Sequence, residues 1–260
     1  MTIYFLSDFG CADVYAGVVR AVLARHAPES RIIDLAHDLP PGDVRHAAVQ
    51  LYAAMPHLEE GGVVLAVVDP DVGSARRALA VRGERLWYVL PDNGLLTLAS
   101  ELDVPLAAWS LEPERFAPEP VSFTFHGRDV FAPAAAHLAR GGSPEDLGQP
   151  VDPEGMVRMP LWTEEGDEGE VVTFDRFGTA ITNLRPRGRP EAVHLVGRPV
   201  PFKDTFASVP EGEAVAFVGS SGLVEVAIRG GSLKQKLRLV EGAAVSLYWP
   251  EEEPPPLDLG

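Results

Sequence analysis

The stretch "VVDPDVGSARR", residues 67–77, closes an apolar run with an acid, adds a proline and a second acid, and returns through small residues to two arginines. The run before it, "GGVVLAVV" (61–68), is short, continuously apolar and rich in valine, which is the pattern of a strand buried on both faces. Asp69 then stands where such a strand leaves the sheet, and the ring of Pro70 holds it extended. Ligands of open α/β sheets bind beyond the carboxyl ends of the strands, so the fold turns on whether the neighbouring segments alternate strand and helix.

They do. "TIYFL" (2–6) and "RIIDL" (31–35) read as strands, and "ALAVRG" with "RLWYVL" reads as a hairpin pair around Gly83-Glu84. Residues 13–26 and 42–55 carry apolar positions at helical spacing, with Asp13 and Asp43 near their starts. "RDVFAPAAAHLARGG" (128–142) is a further helix closed by glycine. After residue 168 the pattern becomes short strands with Gly/Pro turns: 169–175, 180–184, 191–196, 213–219, 223–228 and 243–249. The expected architecture is an α/β N-terminal domain with a largely parallel sheet flanked by helices, plus a C-terminal all-β barrel domain. The expected boundaries are 1–150 for the α/β domain, 151–168 for a linker, 169–250 for the barrel and 251–260 for a disordered tail.

Bulk chemistry narrows the function. The 260 residues are 46% apolar, enough for a packed core, and no window nears the ~18 apolar residues of a membrane span. "TIYFL" follows the first residue with no basic n-region, so no signal peptide is expected. One cysteine, Cys11, excludes an internal disulfide and a cysteine-built zinc site, which fits a reducing cytoplasm. A net charge of −16 repels phosphate backbones, so nucleic acid is not an expected partner, and no membrane partner is expected. No P-loop, G-x-G-x-x-G or G-x-S-x-G is present.

Polar residues gather at the expected strand ends. Ser7-Asp8-Phe9-Gly10 follows the first strand, Asp69 the third, and Pro91-Asp92-Asn93-Gly94 the hairpin, while His126 in "TFHGRD" precedes a helix. Each has a plain structural alternative: Asp8 as a cap, Asp69 in an Asx turn, Asn93-Gly94 as an ordinary turn, His126 as a core or capping histidine. An acid, a histidine and a permanently charged Arg76 around one water form a set able to deliver hydroxide.

"VVDPDVGSARR", "SDFG" (7–10), "FHGRDVFAP" (125–133), "DRFGTAITN" (175–183) and "SSGLVEVA" (220–227) resemble, in order, the motifs of the S-adenosyl-L-methionine hydroxide adenosyltransferases, relatives of the fluorinase and chlorinase. The resemblance spans residues 2–249. It implies a homotrimer, with sites between the N-terminal domain of one subunit and the C-terminal domain of its neighbour. It implies water attack on C5′ of S-adenosyl-L-methionine, giving adenosine and methionine, with no cofactor and no metal. The Asp–Arg–His trio falls on Asp69, Arg76 and His126. Asp8 would grip the ribose diol, Phe177 and its neighbours line the adenine pocket, and Asp175 and Ser220 hold the methionine end. Asn93, Asn183 and Gly230 complete the expected substrate-binding positions. Three positions depart from the family pattern: Asp71 in place of Gly, Thr179 in place of Asn, and Arg229 in place of Asn.

Three other readings remain at this stage. A halogenase of the same superfamily carries Tyr in place of Asp69 and Tyr-Ser in place of His126-Gly127, with a longer loop after Arg77. A metallohydrolase would use Asp8, Asp69, Asp92 and His126 as ligands, against the charge of Arg76. A non-catalytic adenosine or S-adenosyl-L-methionine binder would have no need of the full trio.

Overall fold

A computed structural model describes residues 1–117, 120–161 and 166–249. The chain divides into two compact units, Met1–Pro160 and Leu161–Gly260.

The first unit is built on a seven-stranded sheet. Its strands are β1 (Thr2–Ser7), β2 (Arg31–Ala36), β3 (Val63–Val67), β4 (Ala78–Gly83), β5 (Trp87–Pro91), β6 (Pro105–Leu111) and β7 (Gly148–Val151), in the order β2-β1-β3-β5-β4-β6-β7. Side chains alternate across the pleat, so each face has its own core. Ile3, Phe5, Val63, Leu65 and Val67 cluster with Val19 and Leu23 of helix α1 (Tyr15–His26) and with Ala135 and Leu138 of helix α3 (Ala132–Ala139). Tyr4, Leu6, Val64 and Ala66 cluster with Ala47 and Leu51 of helix α2 (Val44–Ala54). The Asp43 carboxylate caps α2 by accepting from the His46 amide at 2.9 Å.

The expectation of a largely parallel sheet holds for one half only. β2, β1, β3 and β5 pair in parallel, whereas β4, β6 and β7 join antiparallel. The β4–β5 connection is too short for the crossover that parallel strands require. Buried Asp103 secures this hairpin by accepting from the Arg85 and Leu86 amides and from the Tyr88 hydroxyl, at 2.7, 3.0 and 2.6 Å. The last strand, β7, ends at the first residue of the expected linker. Farther along, the Val157 amide donates to Asp92 and the Met159 amide to Thr97, at 2.8 and 3.0 Å, so residues 157–159 are fastened to this unit. Residues 162–165 of the expected linker lie outside the described residues, as does the expected tail at 251–260.

The second unit is an antiparallel sheet of β8 (Glu168–Phe174), β9 (Ala180–Thr182), β10 (Ala192–Leu195), β11 (Arg198–Pro201), β12 (Ala214–Val218), β13 (Val224–Ile228) and β14 (Ala244–Tyr248). Its order is β11-β10-β14-β8-β9-β13-β12. A bridge between Phe202 and Ala216, with the Lys203 amide donating to the Ala216 carbonyl at 2.8 Å, joins the two edges. The sheet is therefore nearly closed into a barrel, around Val171, Phe174, Val193, Val226 and Leu247. A short helix α4 (Leu233–Leu237), absent from the sequence expectation, follows β13.

Candidate active site

Strand order explains why distant residues meet. β1, β3 and β5 are parallel neighbours, so Asp8, Asp69 and Asn93 leave the sheet along the same edge. β3 and β4 are not neighbours, because β5 lies between them. Residues 68–77 therefore form an arch over the end of β5, with Asp69 near one foot and Arg76 near the other.

The arch is pinned against the segment that carries His126. Gly73 has φ +82°, and a Cβ there would lie 2.6 Å from the Phe123 carbonyl oxygen, so glycine meets both the backbone conformation and the close approach. His126 precedes one turn of π-helix, Gly127–Phe131, which runs into α3; such turns are frequent at functional sites. A Cβ on Gly127 would approach the Phe9 ring to 2.8 Å. The serine that halogenases place after their tyrosine has no room here unless Phe9 moves.

The structure brings Asp69, Arg76 and His126 into direct contact. Arg76 Nε donates to Asp69 Oδ1 at 2.9 Å, and Arg76 Nη2 donates both to Asp69 Oδ2 and to His126 Nδ1, the latter at 3.0 Å. The guanidinium also lies over the Phe131 ring, 5.2 Å from its centroid. The Asp69 and Arg76 side chains are only 6% and 9% exposed, so the pair is shielded from solvent screening. Guanidinium has no acceptor, so Nδ1 of His126 must be the acceptor and the neutral imidazole carries its proton on Nε2. Burial first, and then the Arg76 charge, hold the His126 pKa below its ordinary value, against the opposing influence of Asp69 and Asp129.

Beside His126 opens a cavity of about 690 Å³, lined by Pro113, Glu114, Ala117, Val121 and Phe123 among others. Phe9, Tyr15 and Phe125 form a cluster of edge-on and tilted rings next to the histidine, with centroids 5.4–6.4 Å apart. These rings and Phe131 were not singled out as site residues from the sequence. Their signal lay in the motifs themselves, the Phe of "SDFG" and those of "TFHGRDVF".

The other expected residues fall into distinct groups. Asp8 is half-buried and its Oδ2 accepts from the Gly42 amide at 2.7 Å. Asn93 spends its amide inside the protein: Nδ2 donates to the Val68 carbonyl at 2.8 Å, and Oδ1 accepts from Leu95 at 3.3 Å. Asn183 is likewise built into the backbone, its Oδ1 accepting from the Glu170 amide at 2.8 Å. Asp175 organises the β8–β9 turn through its Oδ1, which accepts from the Phe177 and Thr179 amides at 2.9 and 2.8 Å. Phe177, at the tip of that turn, is 71% exposed. Gly230 follows β13 at the same end of the barrel, where the Lys234 amide donates to the Gly178 carbonyl at 3.0 Å. Ser220 is exposed in the β12–β13 turn, at the other end of β13.

Among the departures, Asp71 is exposed on the arch, and Thr179 is buried behind the Asp175 turn. Arg229 is committed to the Val209 carbonyl at 2.8 Å. Among the described residues no group of three or more His, Cys, Asp or Glu side chains is placed to hold a metal ion. Asp69 and Asp92, two of the ligands a metallohydrolase would need, are each paired with an arginine.

Residues 3–148 match the SAM hydroxide adenosyltransferase N-terminal domain, and residues 169–246 match the corresponding C-terminal domain. An (R)-S-adenosyl-L-methionine hydrolase of Thermus thermophilus is 56% identical over 252 residues, which is 94% of this chain and 98% of that protein. One of Salinispora arenicola is 41% identical over 248 residues, covering 92% and 95%. A crystal structure of a conserved hypothetical protein from Thermus thermophilus superposes with a TM-score of 0.85 at 55% identity, covering 95% of this chain and 99% of that one. The chain belongs to the SAM hydroxide adenosyltransferase family.

Proposed function

We propose that this protein hydrolyses S-adenosyl-L-methionine to adenosine and L-methionine, and that Asp69, Arg76 and His126 aim and deprotonate the attacking water. The observation that carries the site reading is the Arg76 guanidinium bridging Asp69 and His126 beside a cavity. The activity is carried by the curated hydrolases, 41–56% identical over nearly the whole chain.

The chemistry is balanced without a cofactor. Water oxygen forms a bond to C5′ as the C5′–S bond breaks, and that electron pair returns to sulfur as a neutral thioether, so no general acid is needed. One water proton must leave. His126 Nδ1 already accepts from Arg76, and protonating it would set two cations against each other. We therefore assign the proton to Asp69, whose oxygens keep lone pairs beyond those facing Arg76, and give His126 Nε2–H the task of holding the water. Hydroxide-like oxygen meeting a sulfonium cancels charge, so the reaction is favoured where substrate binding displaces water from the cavity. Orientation of the water in line with C5′–S supplies up to about 7–11 kcal/mol.

The relatives' name specifies the R configuration, and we extend that preference to the sulfonium centre of this protein's substrate. The remaining roles follow the resemblance: Asp8 on the ribose diol, Phe177 and Gly230 around adenine, and Asp175 and Ser220 at the methionine end, while Asn183, whose Oδ1 accepts from the Glu170 amide, shapes the barrel behind them. A homotrimer and a cytoplasmic setting belong to the same proposal.

The test is chromatography of purified protein with a mixture of sulfonium epimers, run in parallel with EDTA and with chloride or fluoride. Adenosine and methionine in equal amounts, unaffected by EDTA and drawn from the R epimer, are the expected result. A 5′-halo-adenosine, or adenosine bound without turnover, overturns the proposal.

A further inference from the structure

We propose that Asp92 and Asn93 are positioning residues, bracing the two feet of the 68–77 arch so that Asp69 and Arg76 are held in reacting geometry. The proposal rests on the reading of Asp69, Arg76 and His126 as the catalytic group. It assigns Asn93 a role in place of direct substrate contact.

The topology creates the need. Asp69 and Arg76 sit on a loop whose ends belong to strands that do not touch, because β5 lies between β3 and β4. Nothing in direct β3–β4 pairing can fix the span between the feet. The end of β5 lies between the two feet, and the two residues that follow it reach in opposite directions. Asn93 Nδ2 donates to the carbonyl of Val68, the residue before Asp69, at 2.8 Å. The Asp92 amide donates to the carbonyl of Arg77, the residue after Arg76, at 2.9 Å. The Asp92 carboxylate then takes the Arg77 side chain, with Nε at 2.7 Å.

Asp92 is itself anchored. Its side chain is 5% exposed, and its Oδ1 accepts from the Val157 amide at 2.8 Å. Arg77 Nη2 donates to the Gly155 carbonyl at 2.6 Å, so the brace is backed by the segment after β7. The pairing also sorts charge. Two adjacent arginines leave the arch, and two buried carboxylates receive one each: Asp92 takes Arg77, leaving Arg76 to Asp69 and His126. Arginine pairs with a carboxylate in a fixed fork, so each pairing sets an orientation as well as a charge balance. Misplacing a reacting group by about 1 Å can cost on the order of 10²-fold in rate, which is the scale at which such a brace acts.

The test is Asn93→Asp, which keeps the size and the acceptor for Leu95 but sets an oxygen against the Val68 carbonyl. Steady-state kinetics on S-adenosyl-L-methionine, the melting temperature and the NMR titration of His126 are measured on wild type, Asn93→Asp and Asp69→Ala. The proposal expects kcat to fall about 10- to 100-fold with KM within about twofold. It expects the His126 titration to move, because Asp69 and Arg76 push it in opposite directions and a displaced foot changes that balance. An unchanged kcat with only a lower melting temperature overturns it, as does a large rise in KM at constant kcat, which would return Asn93 to the substrate. Should Asn93→Asp not fold, Asp92→Asn applies the same criteria at the other foot. If Asp69→Ala retains the wild-type rate, the catalytic reading itself fails; if Asp69→Ala is inactive and Asn93→Asp is normal, only the brace fails.

Discussion

Two histidines in the first unit each stand beside an aspartate, and their surroundings give them opposite uses. His37 follows β2; its Nδ1 is 2.7 Å from the hydroxyl of Ser7, and its Nε2 is 3.1 Å from Asp34 Oδ1. On residue types alone this is a Ser–His–Asp set. Ser7 is fully buried, however, and the His37–Asp34 approach is a proximity of charge that lacks hydrogen-bond geometry. The His37 carbonyl accepts from the Gly10 amide at 2.8 Å, and neighbouring Asp38 accepts from the Cys11 amide at 2.9 Å. That cluster locks the loop carrying Asp8. His126 instead borders a cavity, with its inner nitrogen fixed by Arg76 and its outer nitrogen left for a ligand. On the proposed function, access and a partner that fixes the tautomer separate His126 from the structural His37.

The largest expected effects lie on the His126 side. Asp69→Ala, Arg76→Ala and His126→Ala each remove one member of a unit, and each should lower kcat by about 10²–10⁴-fold while leaving circular dichroism intact. Because the three act together, a double variant should be scarcely slower than the worse single one. Additive losses would show that they act independently.

An intermediate effect is expected from pH. The His126 pKa is lowered in the folded protein, so the imidazole stays neutral through its ordinary titration near 6.5 and gains its proton only at lower pH. Protonation places a proton on the nitrogen that accepts from Arg76, so turnover should fall as pH drops through a value below about 6.5. An acid limb at or above the ordinary histidine value would contradict the arrangement.

The smallest catalytic effect belongs to the other histidine. His37→Phe removes a buried hydrogen bond to Ser7 and should cost about 1–3 kcal/mol of stability, read as a lower melting temperature. Its kcat should stay within a few-fold of wild type at temperatures where it is folded. A loss of kcat as large as that of His126→Ala would mean the two clusters are not distinct.

Much of this was legible in the sequence. The buried run before Asp69 fixed a central strand, and the order of motifs carried the two-unit architecture. What escaped was local or topological. β6 opens on a proline and does not alternate, β7 contains Pro150, and β11 contains Pro199 and Pro201, so none reads as a strand, although proline is tolerated at the first residue of a strand, as in β6, and on edge strands, as in β7 and β11. The five residues of α4 are too few to show periodicity. The arch was beyond reach because a seven-residue spacing between Asp69 and Arg76 does not reveal that β5 inserts between β3 and β4. The backbone partners of Asn93 and Asn183 were beyond reach in the same way, since each side chain bonds backbone brought from elsewhere in the chain.

The central claim is that water, held between Asp69 and His126, attacks C5′. Mass spectrometry of the nucleoside formed in H₂¹⁸O tests it most directly. The account predicts adenosine with a single ¹⁸O at O5′ and unlabelled methionine. Unlabelled adenosine, or a product cleaved at a bond other than C5′–S, would contradict it.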